Sequence, residues 1–249
     1  MPLFATCRHR QPLSVLGTLA ALTLLPAAGQ AWTSETEVRI AQRAAIFAPS
    51  DLKHQIDKHA QALVEGVLAA RESPAVGVAL DRALYTEVER AIESIRQHRP
   101  FSEIVQRLGQ VTHYITLTNS PLAIGSSDPS ESRYARDYPI YIESAQPRFN
   151  PIFYGEGRRI DNPRDLSLMV HAAMARSRDS YTLLANEYRR VDYAQGRRVF
   201  DDRSTAFGIS ALAYSHSISD TIGVLLYIWL RAGGADRRDF LKLTPPSTP

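Results

Sequence analysis

The chain has 249 residues, of which 44% are hydrophobic and 22% charged. These ordinary globular proportions exclude a disordered chain, a collagen-like chain and a membrane protein with many spans. The formal net charge of +3 falls by two, to +1, without Arg8 and Arg10, which lie in an N-terminal segment that has no acidic residue. The small positive net charge therefore gives no reason to expect nucleic acid as a partner.

Residues 1–31 have the pattern of a secretory signal peptide. Arginines precede an apolar run over residues 13–25, and small residues lead to a cleavage position after Ala31. An uncleaved anchor would need a longer run, because a hydrocarbon core is about 30 Å thick. The only cysteine, Cys7, lies in this segment. We expect a secreted or periplasmic protein whose mature chain has no disulfide and no transmembrane helix.

Apolar residues recur at helical spacing from Trp32 onward and predict a series of helices. The predicted helices cover residues 34–48, 52–67, 80–95, 104–115, 163–190 and 204–233. A capping-box pattern opens the first, with Glu37 three residues after Ser34. Asn162 followed by Pro163 opens the fifth, and a glycine pair beginning at Gly233 ends the last.

Between residues 118 and 163 the helical rhythm gives way to Asn, Ser, Pro and Gly. This composition predicts a long irregular region with only a short helix near residues 133–144. No internal repeat and no change in composition marks a domain boundary. The sequence therefore predicts an all-α fold, a single-domain helical bundle over residues 32–240 with a flexible tail over residues 241–249.

Two segments of the predicted bundle carry a resemblance to a known family. Residues 32–41 read WTSETEVRIA, and residues 108–123 read LGQVTHYITLTNSPLA. They resemble the zinc-dependent phospholipase C and single-strand-specific nuclease superfamily, whose opening helix has the pattern Trp…Thr-His-x-x-Ile-Ala and whose later segment reads LGxxxHYIxDxxxPLH. The resemblance implies an all-α fold of the phospholipase C/nuclease type, in which three zinc ions hydrolyse a phosphodiester.

The resemblance implies a set of zinc ligands that this chain keeps only in part. In the family, the amine and carbonyl of a tryptophan exposed by signal cleavage bind zinc, and Trp32 and His113 match ligand positions. The opening histidine is replaced by Glu37, the bridging aspartate by Leu117 and the histidine after the proline by Ala123. Because a bridging carboxylate is shared by two metals, its loss argues against a three-zinc centre.

Two further stretches match the family less closely. Its His-x-x-x-Glu pair is similar to residues 139–143, which keep Glu143 but not the histidine, and residues 71–74 occupy about the place of its Pro-Asp segment without those residues. The resemblance thus implies Trp32, Glu37, His113 and Glu143 as remnants of a metal site. No cofactor is expected, with zinc as the metal if these groups still bind one.

The remnant residues also have structural interpretations. His113 lies close to an apolar helix stripe, which favours a hydrogen-bonded core histidine. Glu37 has a sufficient role in the capping box, and Trp32 can anchor the first helix as a buried indole. On the last predicted helix, His216 and Asp220 stand one turn apart, which fits a hydrogen-bonded pair or a weak metal pair.

An aromatic and basic patch surrounds Glu143 in the sequence. It comprises four aromatic residues and three arginines: Tyr134, Tyr138, Tyr141, Phe149, Arg133, Arg136 and Arg148. The candidate ligand contacts among them are Tyr138, Tyr141, Arg136 and Arg148. Such side chains can stack on a ring or hold a phosphate, so a phosphate-bearing ligand is one candidate partner. The alternative is that the patch packs on the helices. The other arginines are scattered in pairs balanced by acids, which is not the pattern of a nucleic-acid groove.

These observations lead to three hypotheses for the function. The first is a secreted phospholipase C/nuclease-like protein with a degenerate zinc site and a non-catalytic binding or structural role, with residues 118–163 as the contact surface. The second is a metal-dependent phosphodiester hydrolase that acts on phospholipid or nucleotide. It requires Trp32, Glu37, His113 and Glu143 to converge on one or two metals. A third possibility is a helical scaffold unrelated to the family.

Overall fold

A computed structural model describes residues 32–72, 79–124, 128–153 and 159–235. The predicted signal peptide, residues 1–31, and the predicted flexible tail, residues 241–249, lie outside these ranges. Every regular element in the described ranges is helical. The predicted all-α single-domain fold is therefore confirmed.

Nine α-helices and two short 3-10 turns make up the regular structure of the described residues. The helices are α1 (Ser34–Ala45), α2 (Ser50–Lys58), α3 (Ala60–Glu72), α4 (Leu80–Arg96), α5 (Phe101–Thr118), α6 (Asp137–Ala145), α7 (Pro163–Arg190), α8 (Gly196–Val199) and α9 (Thr205–Arg231). The 3-10 turns, Glu131–Arg133 and Gln146–Arg148, flank α6.

The first predicted helices need two corrections. The N-cap of α1 is Thr33, not Ser34, and its side chain accepts a hydrogen bond from the Thr36 backbone nitrogen. Glu37 is therefore not the partner in a capping box. The helix predicted over residues 52–67 is divided at His59, whose φ of −117° and ψ of 34° leave the helical region.

The ends of the two longest helices follow the sequence signals. Asn162 lies directly before Pro163, and its side chain accepts hydrogen bonds from backbone N–H groups in the first turn of α7. These N–H groups have no partner within the helix, so the side chain satisfies them. The Ser204 side chain caps α9 in the same way. Beyond α9, Gly233 has a φ of 94°, a conformation that favours glycine. The predicted boundaries of both helices are confirmed to within two residues.

Helix α9 connects the two halves of the core. Its second half packs with α3, α4 and α5 around Leu225 and Ile228, whereas its first half packs against α6 and α7 around Ile209 and Tyr214. Its buried residues outnumber those of any other described helix. A helix that is apolar on most of its circumference is expected at the centre of a bundle.

Much of the region predicted as a contact loop belongs to the core instead. The rings of Tyr134, Tyr138 and Tyr141 are fully buried and pack in the second half of the core with Tyr188 and Phe200. Tyr134 stacks on Tyr188 with ring centroids 4.7 Å apart. Because burying an aromatic ring is strongly favourable, this part of the chain holds the helices together.

Candidate functional site

The first described residue, Trp32, is anchored inside the bundle. Its side chain is fully buried, and the indole Nε1 donates a hydrogen bond to the Thr116 carbonyl oxygen at 2.8 Å. Its own carbonyl oxygen accepts a hydrogen bond from Nη2 of Arg71 at 2.8 Å. The predicted anchoring role of the indole is therefore present, and the carbonyl faces a cation.

Glu37 lies at the centre of the same cluster. Its carboxylate has no solvent exposure. Oε1 accepts a hydrogen bond from Nη1 of Arg71, and Oε2 accepts one from Nδ1 of His113, both at 2.9 Å. Burying a carboxylate is costly unless charged and hydrogen-bonding partners accompany it. Arg71 supplies the opposite charge, and His113 satisfies the second oxygen.

Three helices bring this cluster together. Glu37 is in the first part of α1, Arg71 in the last turn of α3, and His113 in the second half of α5. Helices α3 and α5 approach so closely that a Cβ at Gly66 would stand 1.9 Å from the Gln106 carbonyl oxygen. The resulting backbone contact brings Arg71 and His113 to the same buried carboxylate.

The other residues of the family pattern do not join the cluster. Glu143 is half-buried on α6, and its carboxylate makes no hydrogen bond or ion pair with the described residues. Leu117 packs against both halves of the core, and Ala123 packs against the second half. Throughout the described residues, no three His, Cys, Asp or Glu side chains are grouped so that they could hold a metal ion.

This donor set does not fit a zinc ion. Both oxygens of Glu37 and the carbonyl oxygen of Trp32 are bonded to protein groups. A zinc site needs three or four converging protein ligands, whereas here the Arg71 guanidinium lies between two of the oxygens. The arrangement neutralises a buried carboxylate through an internal cation.

The predicted aromatic patch is divided between the core and the surface. Tyr138 and Tyr141 are fully buried, and burial raises the pKa of both phenols. Tyr138 packs near Tyr141, whose ring meets Phe200 edge to face at 5.3 Å. Neither ring face lines an open surface where a ligand would stack.

The two arginines among the candidate ligand contacts lie outside the core. Arg136 is exposed. Arg148 pairs with Asp202, and its guanidinium lies 5.3 Å from the centroid of the Phe207 ring. These arginines and the buried tyrosines therefore do not share one pocket.

A second polar cluster lies where α5, α7 and α9 meet. Asp220 accepts hydrogen bonds from Nδ2 of Asn119 at 2.9 Å and from Nη2 of Arg176 at 3.0 Å. Burial raises the pKa of Asp220, although both partners oppose the rise. The pKa of His216 is lowered to about 4 by burial and then by the charge of Arg176. A cleft of about 240 Å³ opens beside Asn119, Arg176 and His216.

Sequence reasoning missed the partners that complete both clusters. Arg71 pairs with a residue 34 positions earlier in the chain, and Asn119 and Arg176 are 57 positions apart. The one available signal for Arg71 was its place in the segment where the resembling family carries a Pro-Asp ligand segment. No local pattern marks Asn119 or Arg176.

No family model matches this chain, and no curated protein matches it either. None of the described helices has the length and apolar character that crossing a membrane requires.

Proposed function

We propose that this chain is a secreted or periplasmic protein of the phospholipase C/nuclease type in which an arginine has replaced the metal, and that it has a non-catalytic binding or structural role. The observation that carries the proposal is the position of Arg71. Its guanidinium donates to the Trp32 carbonyl oxygen and to Glu37, two groups at positions that hold zinc in the family it resembles.

A guanidinium can replace the charge of a metal but not its chemistry. Arg71 presents N–H donors in a fixed plane and has no open coordination position. It can donate a hydrogen bond to water but cannot coordinate the water oxygen as a Lewis acid, which is how a catalytic zinc lowers the pKa of water and produces a nucleophile at neutral pH. Replacing the metal by an arginine therefore keeps the arrangement of the surrounding side chains and removes the ability to hydrolyse a phosphodiester.

The charge of Arg71 also opposes a metal at this site. Glu37 is a single buried carboxylate, and Arg71 already balances its charge at 2.9 Å. A divalent cation at the same oxygens would lie within a few ångströms of the guanidinium, where like charges repel strongly in a poorly solvated interior. The two cations are therefore alternatives.

Leu117 and Ala123 support the same proposal. They stand where the family pattern has a bridging aspartate and a histidine, and both pack against the apolar core. Carbon atoms in these places offer no lone pair to a metal. Introducing a single ligand would therefore not rebuild a site for two or three zinc ions.

The hydrolase hypothesis lacks one of its required groups. It needs Glu143 to converge with Trp32, Glu37 and His113. Arg71 bonds both Trp32 and Glu37, and Glu37 in turn bonds His113. The Glu143 carboxylate makes no hydrogen bond or ion pair with these residues. With Arg71 balancing the charge of Glu37, the cluster has the composition of a stabilising ion pair.

A phosphodiesterase assay tests the proposal. The secreted chain is incubated with zinc and given bis(p-nitrophenyl) phosphate, phosphatidylcholine or single-stranded DNA. We expect no hydrolysis above the rate without protein. Zinc-dependent hydrolysis that is lost in His113→Ala and kept in a control, His54→Ala, would overturn the proposal, because His54 is an exposed histidine of α2.

A further inference from the structure

The cleft between α7 and α9 is lined by charged and polar groups outside the Arg71 cluster. Arg176, Asp179 and Ser180 contribute to the lining from α7, and Leu212 and His216 contribute from α9. The volume of the cleft, about 240 Å³, is smaller than that of sites for drug-sized molecules, which have about 300–1,000 Å³. The space therefore accommodates a small molecule.

Buried hydrogen bonds hold the positive charge of the cleft in place. Nη2 of Arg176 donates to Oδ2 of Asp220 at 3.0 Å and to Oδ1 of Asn119 at 3.3 Å. Asn119 is only 4% exposed, and its Nδ2 donates to the same Asp220 oxygen at 2.9 Å. The Arg176 side chain is still 39% exposed, and its Nη1 makes no hydrogen bond with the described residues. Nη1 can therefore donate to a ligand.

A carboxylate without a counter-charge lines the same cleft. Asp179 is exposed and makes no hydrogen bond or ion pair with the described residues. Arg176 stands three positions earlier on α7, a spacing at which opposite charges can pair, but its guanidinium pairs with Asp220 of α9 instead. The hydroxyl of Ser180, next to Asp179, also has no partner among the described residues. The cleft thus offers a cationic donor and a separate anionic acceptor.

These charges favour a ligand that carries both signs. Asp220 already balances the charge of Arg176, so an anion alone gains little attraction here and is repelled by Asp179. A cation alone would lie close to the guanidinium, which repels it. His216 adds no charge at neutral pH, because burial and then the Arg176 charge lower its pKa to about 4. A zwitterion satisfies both groups and brings no net charge into the cleft.

We propose that this cleft binds a free α-amino acid that has an apolar side chain. Its carboxylate would accept from Nη1 of Arg176, its ammonium would pair with Asp179, and its side chain would cover Leu212. Charge-assisted hydrogen bonds are the stronger class of polar contact. Leu212 is 51% exposed, so covering its carbon surface adds a favourable apolar contact. No residue of the Arg71 cluster lines the cleft, so this ligand is independent of the metal replacement proposed above.

Calorimetric titration of the purified chain at pH 7 with three matched probes tests this inference. Free leucine carries both charges, 4-methylpentanoate has the same carbon chain without the ammonium, and 3-methylbutylamine has it without the carboxylate. We expect one leucine per chain. Each of the other two probes should bind at least about tenfold more weakly, because one charge-assisted contact is missing.

Variants of exposed residues assign each contact without disturbing the buried network. Asp179→Asn should weaken leucine and 3-methylbutylamine by about tenfold and should not weaken 4-methylpentanoate, because only the first two carry an ammonium. Leu212→Ser should weaken all three probes. The matched controls Asp51→Asn and Leu168→Ser should change none, because these exposed residues of α2 and α7 do not line the cleft.

Three results would overturn the inference. The first is a wild-type chain that does not bind leucine at millimolar concentration. The second is 4-methylpentanoate or 3-methylbutylamine binding as tightly as leucine, which would show a site for one charge only. The third is an equal loss of leucine binding in the cleft variants and in their controls.

Discussion

Arg71 and Glu37 form an ion pair inside the bundle, with Nη1 of the arginine 2.9 Å from Oε1 of the glutamate. The glutamate side chain is fully buried and the arginine side chain is 15% exposed. The pair joins the end of α3 to the start of α1, and the second glutamate oxygen extends the contact to α5 through His113. Three helices are thus joined at one carboxylate.

Removing the arginine should destabilise the fold strongly. Arg71→Leu leaves the Glu37 carboxylate buried without a counter-charge, for which we expect a loss of about 3–5 kcal/mol in the free energy of unfolding. Urea denaturation measures the change. Arg90→Leu is the control, because the Arg90–Glu87 pair is solvent-exposed on the arginine side and should contribute about 1 kcal/mol or less.

A double variant separates charge burial from lost packing. Glu37→Gln combined with Arg71→Leu removes both charges and leaves an amide that can still accept from His113. We expect this variant to recover more than half of the loss in Arg71→Leu. If the double variant is less stable than the single one, the electrostatic explanation is wrong.

The buried indole should contribute through its hydrogen bond. Trp32→Phe removes the donor to the Thr116 carbonyl oxygen and shortens the ring. We expect a destabilisation of about 1–3 kcal/mol in urea unfolding. The matched change Trp229→Phe should be milder, because the Trp229 hydrogen bond to Ala235 is exposed. Equal losses in both variants would contradict a special role for Trp32.

No side chain should fit at the glycines where α3 and α5 are in contact. At Gly66 an added Cβ would stand 1.9 Å from the Gln106 carbonyl oxygen, and at Gly109 it would stand 2.2 Å from the Leu63 carbonyl oxygen. Both neighbours are backbone atoms, so alanine at either position should cost about 3 kcal/mol or more. Gly208 has no atom within 4 Å of an added Cβ, and Gly208→Ala should stabilise by about 0.5–1 kcal/mol. Thermal unfolding of the three variants tests whether Gly66→Ala and Gly109→Ala lower the melting temperature while Gly208→Ala raises it.

His216 should make the fold less stable as the pH falls. Burial and the Arg176 charge lower its pKa from 6.5 to about 4. Between these values the unfolded chain binds a proton that the folded chain does not, so the free energy of unfolding decreases as the pH falls through this window. The raised pKa of Asp220 acts in the opposite direction.

A variant isolates the histidine contribution. His216→Gln should lose less stability than wild type between pH 6.5 and 4.5, as measured by urea unfolding. His171→Gln should follow wild type, because the His171 side chain is 61% exposed. An unchanged pH dependence in His216→Gln would show that this histidine is not the group that titrates.

Helix boundaries were predictable where a residue type has a local role. Asn162, Ser204 and Gly233 act within one turn of a helix end, so the sequence alone places α7 and α9. The break at His59 has no such signal. The apolar stripe continues across it, and the His59 nitrogen still donates to Gln55 and Ile56, so neither glycine nor proline is needed there.

The candidate site was predictable only in part, because its central contact is non-local. Trp32, Glu37 and His113 were identified from the family pattern, and the structure brings these three residues together. The family pattern assigns no role to Arg71. This arginine matters because it balances the buried carboxylate of Glu37, which lies 34 residues earlier in the chain. The tyrosines around Glu143 were ambiguous because a buried and an exposed aromatic cluster have the same composition.

Zinc binding by the purified chain tests most directly whether Arg71 has replaced a metal. The purified wild-type chain and His113→Ala are dialysed to equilibrium against micromolar zinc, and bound metal is measured by elemental analysis. We expect both proteins to retain far less than one zinc per chain and to show unchanged melting temperatures with zinc or chelator. Two or three zinc ions per wild-type chain, lost in His113→Ala, would contradict the replacement.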